Sequence, residues 1–540
     1  MLPRNFTLTS SNKGHLLFYL ILVGYAFYAA AYIYQTSFVV SGERYFVLFD
    51  DAMISMRYAR NLANGHGLVW NPGGVRVEGY TNPLWVIFMA IFHLFPLPPS
   101  KMSLVIQISG AIFLIANLSF VNKIARMLTG SWLVALLSVI LTAFYAPLNN
   151  WGLQGMEVSV LTLIVSASLW IALESTHSNR FSRWLYPLLG MGTLVRIDMA
   201  VVYLVVLVFL VVADRPHRRQ NLVWGIGLFV LFILSQTLFR WIYYGDILPN
   251  TYYLKMQGYP VFLRLVHGAY VLFRFIWSFN WLLFLLPFTV LAFRRERAIL
   301  LAILVILAQL AYSVYVGGDA WEHRGGSNRY ISIVMPIFFI FFTYASDLIR
   351  QAILIKIQPR LKASILVSNV LLVLIVLASM LNMNLLVDFK SLERWALLRQ
   401  PIFIEGNKEY VRIAEALNKI TTPQASIAVV SAGAIPYFTD RYALDLLGKN
   451  DVKIAHENAR GANNPFNLDK FRPGHMKWDY DYSIGELKPD VVVQLWGDSS
   501  TAQAYLDKYY LVGGIPGDMA FSLRAGSPNI LWDRVQIKPQ

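Results

Sequence analysis

The sequence predicts a polytopic α-helical membrane protein that carries a soluble α/β domain at its C-terminal end. Two observations carry that class. Hydrophobic residues make up 56% of the 540 and charged residues only 14%, too few charges to cover a water-facing surface. Long apolar runs also recur up to about residue 382 and then stop, after which charge and the turn formers Gly, Pro, Asn and Asp increase. The predicted division is a membrane part, 1–382, and an α/β domain of ordinary size, 383–540.

A helix needs roughly 20 apolar residues to cross a bilayer. The runs that meet or approach this length are His15–Tyr34, Ser103–Val121, Ser131–Pro147, Val158–Leu173, Trp184–Val195, Met199–Ala213, Leu222–Tyr243, Phe275–Phe293, Ala298–Val316, Ile331–Ile349 and Lys362–Leu381, about eleven crossings. The first is too long for a signal-peptide core and no small-residue cleavage site follows it, so it is read as a retained helix. With the N-terminus inside, the basic groups Arg4/Lys13, Lys123/Arg126, Arg180/Arg183, Arg215/Arg218/Arg219, Arg294/Arg295/Arg297 and Arg350/Lys356/Arg360/Lys362 all fall on the inner side.

Two decisions hold that parity. Pro83–Phe95 is apolar but only two-thirds of a span, so it is laid along the outer surface as a helix anchored by Trp85 and His93. Trp184–Ala213 is split around Arg196 and Asp198, because one helix would put both charges in lipid. Beyond residue 383, Ser426–Val430 and Asp490–Leu495 read as short buried strands and Tyr410–Lys419 has helical spacing.

Absent residues exclude several chemistries. Without cysteine there is no disulfide, thiol nucleophile or thiolate metal site. No P-loop, H-E-x-x-H or nucleophile elbow is present. The net charge of +15 lies in short clusters between apolar runs, which argues for membrane orientation and against nucleic-acid binding.

The outer loops hold most of the unusual sequence: 49–85, 149–157, 196–198, 243–255 and 316–330. Asp50 and Asp51 directly follow the first span. One such carboxylate can take a proton from an attacking hydroxyl, while the other orients a donor or helps bind a divalent cation. The plainer reading is that Asp51 caps a helix over Ala52–Asn61. Arg57 and Arg60 share one face of that helix, and Lys255, His323, Arg324 and Arg329 come from other outer loops. Together they suit an anionic headgroup, and arginine holds phosphate bidentately. The aromatic rings of Trp70, Tyr80, Trp85, Trp151 and Trp321 can stack on sugars or form an interfacial belt. Thr81, Asn82 and Asn250 can bind sugar hydroxyls or make turns. Asp50, Asp51, Glu78, Glu157 and Asp319 are the outer carboxylates open to a divalent ion such as Mg or Mn, but no spacing selects a set among them.

An outer acidic pair after the first helix, followed by surface helices, resembles the GT-C glycosyltransferases. Within them, DDAMISMRYARNLANGHGLVWNPGGVRVEGYTNPLW, YYGDILPNTYYLK, VGGDAWEHR and SAGAIPYFTDRYALDLLGKND resemble the terminal β-(1→2) arabinofuranosyltransferase branch of mycobacteria and proteobacteria. The resemblance implies a GT-C fold and an inverting transfer of a sugar, a pentose such as arabinofuranose, from a polyprenyl-phosphate donor. The acceptor implied is a hydroxyl of a cell-envelope glycan or glycoprotein on the periplasmic face of a bacterial inner membrane. It implies Asp50 as base with Asp51 second. Arg57, Lys255, His323, Arg324 and Arg329 would then surround the donor phosphate, and Glu78, Tyr80, Thr81, Asn82, Asn250 and Trp321 would contact sugar or acceptor. A flippase for a lipid-linked sugar, a ligase of lipid-linked glycans and an envelope assembly protein are the competing readings.

Overall fold

The computed structural model describes residues 11–319, 327–357, 362–385, 389–460, 468, 471–516 and 519–538. Helix α1 (Ser11–Gln35) leads into a two-stranded hairpin, β1 (Phe38–Val40) and β2 (Glu43–Tyr45), then into α2 (Asp50–Ala63) and α3 (Pro83–His93). The chain continues through α4 (Pro99–Thr129), α5 (Trp132–Ala143), α6 (Ala146–Leu153), α7 (Val158–Ser178), α8 (Leu185–Val195), α9 (Ala200–Ala213) and α10 (Arg218–Tyr244). The short α11 (Asn250–Lys255) precedes α12 (Val261–Phe279) and a broken stretch containing α13 (Trp281–Leu285) and α14 (Val290–Phe293). Then come α15 (Arg297–Tyr315), α16 (Arg329–Ser332), α17 (Met335–Ile357) and α18 (Lys362–Leu385).

Local signals place the joints. Gly130, at φ 66°, closes α4 in the left-handed conformation, and the Ser131 side chain accepts from the Val134 N–H to open α5. Among the described residues eight helices are long and apolar enough to cross a membrane, or nine if α5 and α6, bent by 54°, count as one. The shorter apolar α8 and α9 pack beside α10. Tyr186 Oη donates to Asn221 and Gln236 Nε2 donates to the Thr193 carbonyl, so α8 ascends beside α10. On the return, Tyr203 Oη of α9 donates to the Gly225 carbonyl. The break falls at Arg196, in extended conformation, as the predicted split requires.

One pass differs from its expected position. The sequence places it at Phe275–Phe293, whereas the span-length helix is Val261–Phe279, and Trp281–Phe293 continues it in broken form. Arg264 and His267 lower the hydropathy of its first turns, but both are buried, and His267 Nδ1 lies 2.7 Å from the Gly317 carbonyl oxygen. Protein, not lipid, surrounds them. Exposed apolar side chains such as Leu16, Phe27, Val223, Ile242 and Leu366 line the flanks, as lipid-facing helices require.

Two of the basic groups meet the ends of neighbouring helices: Arg126 lies 2.9 Å from His15, and Arg297 donates to the Ala213 carbonyl at 2.7 Å. The unusual loops meet at one end of the bundle. There Tyr25 Oη donates to Asn149 at 2.7 Å, and Tyr244 Oη donates to the Leu68 carbonyl at 2.9 Å. Helix α3 is 11 residues long and lies here too, its Trp85 indole donating to the Gly155 carbonyl and His93 Nε2 lying 3.1 Å from Tyr437 Oη.

The chain after α18 folds over this end. It comprises α19 (Phe389–Trp395), α20 (Ile404–Ile420), β3 (Ser426–Val429), α21 (Ala434–Thr439), β4 (Tyr442–Asp445), α22 (Val452–His456), β5 (Val491–Val492), α23 (Ser500–Tyr509), β6 (Tyr510–Gly514), β7 (Ala520–Arg524) and β8 (Gln536–Ile537). The six-stranded sheet has the order β4-β3-β5-β7-β6-β8, with β3, β4 and β5 mutually parallel and the rest antiparallel. The expected strands and helix correspond to β3, β5 and α20, although only Val491–Val492 of the second strand pair in the sheet. Ile427, Val429, Ile435 and Tyr437 join the same apolar core as the helices, so the two parts pack as a continuous interior.

Candidate active site

Helix α2 opens after Phe49, whose side chain cannot cap it, so Asp50 and Asp51 occupy its first turn. There the unpaired N–H groups and the helix dipole favour carboxylates. Asp51 is therefore not the N-cap that the plainer reading allowed. Phe49 is fixed between Trp151 and Phe403, with ring centroids 5.6 and 4.6 Å away, and this sets where the acidic turn sits.

The two aspartates meet different surroundings. Asp50 Oδ1 accepts from the Ala434 N–H at 2.8 Å, at the start of α21. Position 433 must be glycine for this approach, because a Cβ there would lie 2.0 Å from the Asp50 carbonyl oxygen. Burial pushes the Asp50 carboxyl up to about 6, against the opposing pull of the Ala434 N–H. For Asp51, burial would also raise the carboxyl, but the charges of Lys449, Arg329 and Lys255 outweigh it and hold it well below the usual range. Lys449 Nζ stands 3.3 Å from its Oδ1 and Arg329 Nη1 3.4 Å from its Oδ2.

Each cation has its own support. The Asn328 side chain accepts from the Ile331 N–H at 3.0 Å, capping α16 and setting Arg329 as its first residue. Asp319 holds the far side of that guanidinium, with Nε–Oδ2 at 2.7 Å and Nη2–Oδ1 at 3.0 Å. Lys255 ends α11 and lays its methylenes against Gly474; burial and then the Arg329 and Lys449 charges bring its ammonium down to about 8. Asn250 Nδ2 donates to the Gly448 and Lys449 carbonyls at 3.0 Å each, fixing the loop that presents Lys449. His475 completes the group, its ring brought down to about 4 chiefly by burial, and is thus neutral near pH 7.

A carboxylate that can take a proton near neutrality thus stands beside one that gathers three cations, at the joint between helix bundle and sheet. The comparisons bear on that architecture. Residues 84–241 match the family described as dolichyl-phosphate-mannose-protein mannosyltransferase, and residues 401–530 match DUF8728, a domain of unknown function. The crystal structure of ArnT from Cupriavidus metallidurans bound to undecaprenyl phosphate is similar with TM-score 0.51 and 15% identity, over 78% of this chain and 85% of that one. The oligosaccharyltransferase AglB of Archaeoglobus fulgidus, in complex with an inhibitory peptide and a dolichol-phosphate, is similar with TM-score 0.57 and 11% identity, over 98% of this chain and 76% of that one. The chain has the GT-C fold.

A curated relative points the same way. The terminal β-(1→2)-arabinofuranosyltransferase of Mycobacterium tuberculosis is 24% identical over 216 residues, 37% of this chain. The match spans 34% of that relative's length.

Within this GT-C fold, the structure brings Asp50, Asp51, Lys255 and Arg329 together and sets the other expected residues apart. Arg57 is corrected: it is 1% exposed and donates to the carbonyls of Trp70, Pro436 and Arg441 and to Asn71 Oδ1, so it ties the 436–441 segment to α2 and is spent on the chain's own backbone. Asn250 holds the Lys449 loop. Glu78 accepts from Arg240 Nε at 2.7 Å, both being buried, and burial lifts it to about 7. Tyr80 Oη meets Tyr244 Oη at 2.9 Å. Asn82 donates to Glu157 and accepts from Ser55, in a second network that Arg196 joins through Glu157. Thr81 is half-buried. Trp321, His323 and Arg324 lie outside the described residues.

Sequence reasoning missed Lys449 and His475 as site residues. Lys449 sits in the LLGKND motif and was legible there, whereas His475 lies in no motif. The carboxylates considered for a metal are engaged by other groups of the chain. Among the described residues no three of His, Asp and Glu converge. Asp51, Asp319, Glu78 and Glu157 each face a cation, and Asp50 faces an N–H.

The place given to Arg57 has a measurable consequence. Arg57→Met should lower stability by about 3 kcal/mol, by leaving buried carbonyls unpaired. Thermal unfolding checks this, and the KM for any lipid-phosphate donor should stay within about twofold.

Proposed function

We propose that this chain is an inverting glycosyltransferase that moves a sugar from a polyprenyl-phosphate carrier to a hydroxyl of a cell-envelope glycan or glycoconjugate. The observation that carries the reading is the Asp51–Arg329–Lys449 cluster with Lys255, set beside Asp50 at the outer end of apolar helices. Asp50 takes the proton of the acceptor hydroxyl as that oxygen attacks the anomeric carbon. The bond from that carbon to the phosphate breaks on the opposite face, and both its electrons leave with the phosphate. Lys255, Arg329 and Lys449 stabilise the charge that grows there, with Asp51 and Asp319 holding them in place. The donor enters sideways from the bilayer, which explains why no nucleotide-binding loop is needed.

ArnT and AglB were both crystallised or captured with polyprenyl-type phosphates, which supports a lipid-linked donor. The arabinofuranosyltransferase relative and the motifs quoted above support a pentose such as arabinofuranose. The basic clusters that alternate with the outer loops along the sequence support an inner-membrane protein with a cytoplasmic N-terminus and the sheet in the periplasm.

The test is incubation of the purified protein with a panel of polyprenyl-phosphate sugars, reading carrier-phosphate release. A member of the panel should be consumed in step with glycoside formation. Release from none of them, with lipid-linked sugar carried across vesicles instead, would favour a flippase. The pH profile gives a second check. Asp50 must be ionised and gains that form as pH rises through about 6, while Lys255 must be protonated and loses that form above about 8. The kcat/KM is therefore expected to be bell-shaped with limbs near those values, since it reports groups of the free enzyme.

A further inference from the structure

Three loops leave the carboxyl ends of the parallel strands β3, β4 and β5, and all reach the aspartate pair or its neighbours. The loop after β3 brings the Ala434 N–H to Asp50 at 2.8 Å. The loop after β4 brings Lys449 to Asp51 at 3.3 Å. The loop after β5 carries Trp496, whose ring lies 5.6 Å from that of His475, and the charges of Asp51 and Lys255 act on His475 in turn. In the order β4-β3-β5-β7-β6-β8 the chain leaves β3 toward β4 and leaves β5 toward the opposite edge. The carboxyl ends of β3 and β5 thus flank a switch point, where open α/β sheets bind their ligands.

Trp496 is held rigidly at this place. Its backbone N–H donates to Tyr480 Oη at 2.7 Å, Tyr480 Oη donates to its carbonyl at 2.6 Å, and its indole N–H donates to the His475 carbonyl at 2.9 Å. The ring is half-buried, and Gly497 and Asp498 beside it are exposed. With the indole N–H engaged, what Trp496 offers a ligand is its face. A sugar ring has the matching chemistry: C–H groups pack on an aromatic face while hydroxyls at the rim meet polar groups. The His475 ring donates to the Pro473 carbonyl, and a neutral imidazole in that state accepts from a hydroxyl through its other ring nitrogen.

We propose that the loop cluster at the carboxyl ends of β3, β4 and β5 is the acceptor-sugar subsite, with the sugar stacked on Trp496 and hydrogen-bonded by His475 so that its hydroxyl meets Asp50. This rests on the transferase reading above, and it gives the sheet a part in substrate binding. The lipid-linked donor approaches Asp51 from the helices, and the acceptor from the sheet.

The experiment uses the full chain in nanodiscs, a polyprenyl-phosphate pentose as donor and a water-soluble methyl pentofuranoside disaccharide as acceptor probe. Trp496→Leu should raise the acceptor KM about tenfold, and Trp496→Phe should recover most of that loss. The donor KM and the slow release of carrier phosphate to water should change less than about twofold in both variants. An unchanged acceptor KM, or an equal rise in donor KM, would overturn the subsite. Should Trp496→Leu not yield folded protein, Trp496→Met, which keeps more of the side chain's bulk but no aromatic face, carries the same acceptor-specific expectation. A wild-type protein that releases no carrier phosphate from any donor removes the transferase reading and the subsite with it. Release with an acceptor KM indifferent to the loss of the ring removes the subsite alone.

Discussion

Replacing Asp50 by Asn is expected to lower kcat by roughly 10²- to 10⁴-fold, the range that a positioned general base contributes. The fold should survive, because an Asn oxygen can still accept from the Ala434 N–H that now binds Asp50 Oδ1 at 2.8 Å. The donor KM should change little, since the cations around Asp51 are untouched. The acid limb of the pH profile near 6 should also vanish, because Asn has no proton to lose in that range. A purely structural role for Asp50 would scale the whole profile down and leave that limb in place. Steady-state kinetics across pH on the wild type and the variant, with unfolding followed by circular dichroism, separate the two.

Arg329→Met is expected to give the second large effect, on both stability and rate. The guanidinium is 5% exposed and lies between Asp319 and Asp51. Removing it leaves two carboxylates near each other with a cation lost, and breaking a buried pair in this way costs about 3–5 kcal/mol. Transfer should fall by roughly 10²- to 10³-fold, as when one preorganised stabilising group is taken from an active site. Arg329→Lys should not restore it, because one ammonium cannot reproduce the paired contact to Asp319 while reaching Asp51. Thermal unfolding and kcat/KM measured on the same preparations check both parts.

How much of this was legible follows from the physics of each signal. Apolar runs mark membrane helices because lipid accepts little else, so most passes stood where the sequence put them. The Arg196–Asp198 break was legible for the same reason in reverse, as a pair of charges that a continuous span could not carry. The first turns of α12 were not, because Arg264 and His267 look polar in sequence yet are surrounded by protein. Hydropathy cannot tell a residue facing lipid from one facing the sheet. Within the site, Asp50, Asp51, Lys255 and Arg329 were found because charges on one side of a membrane must be gathered or solvated. Arg57 misled for a related cause: a buried arginine satisfied by carbonyls carries the same sequence signal as one awaiting phosphate. Lys449 and His475 come from a part of the chain roughly 400 residues away from the aspartates; the LLGKND motif offered Lys449, but His475 lies in no motif and only its packing near Asp51 reveals it.

The most direct test of the whole account is the stereochemistry of one turnover. Purified protein is given a polyprenyl-phosphate sugar of known anomeric configuration and a soluble glycoside, and the product is read by NMR alongside carrier phosphate. Single displacement with Asp50 as base predicts the inverted anomer, one phosphate carrier freed per glycoside, and both formed at least about 10²-fold more slowly by Asp50→Asn. A retained anomer, or undiminished product from the variant, would contradict it.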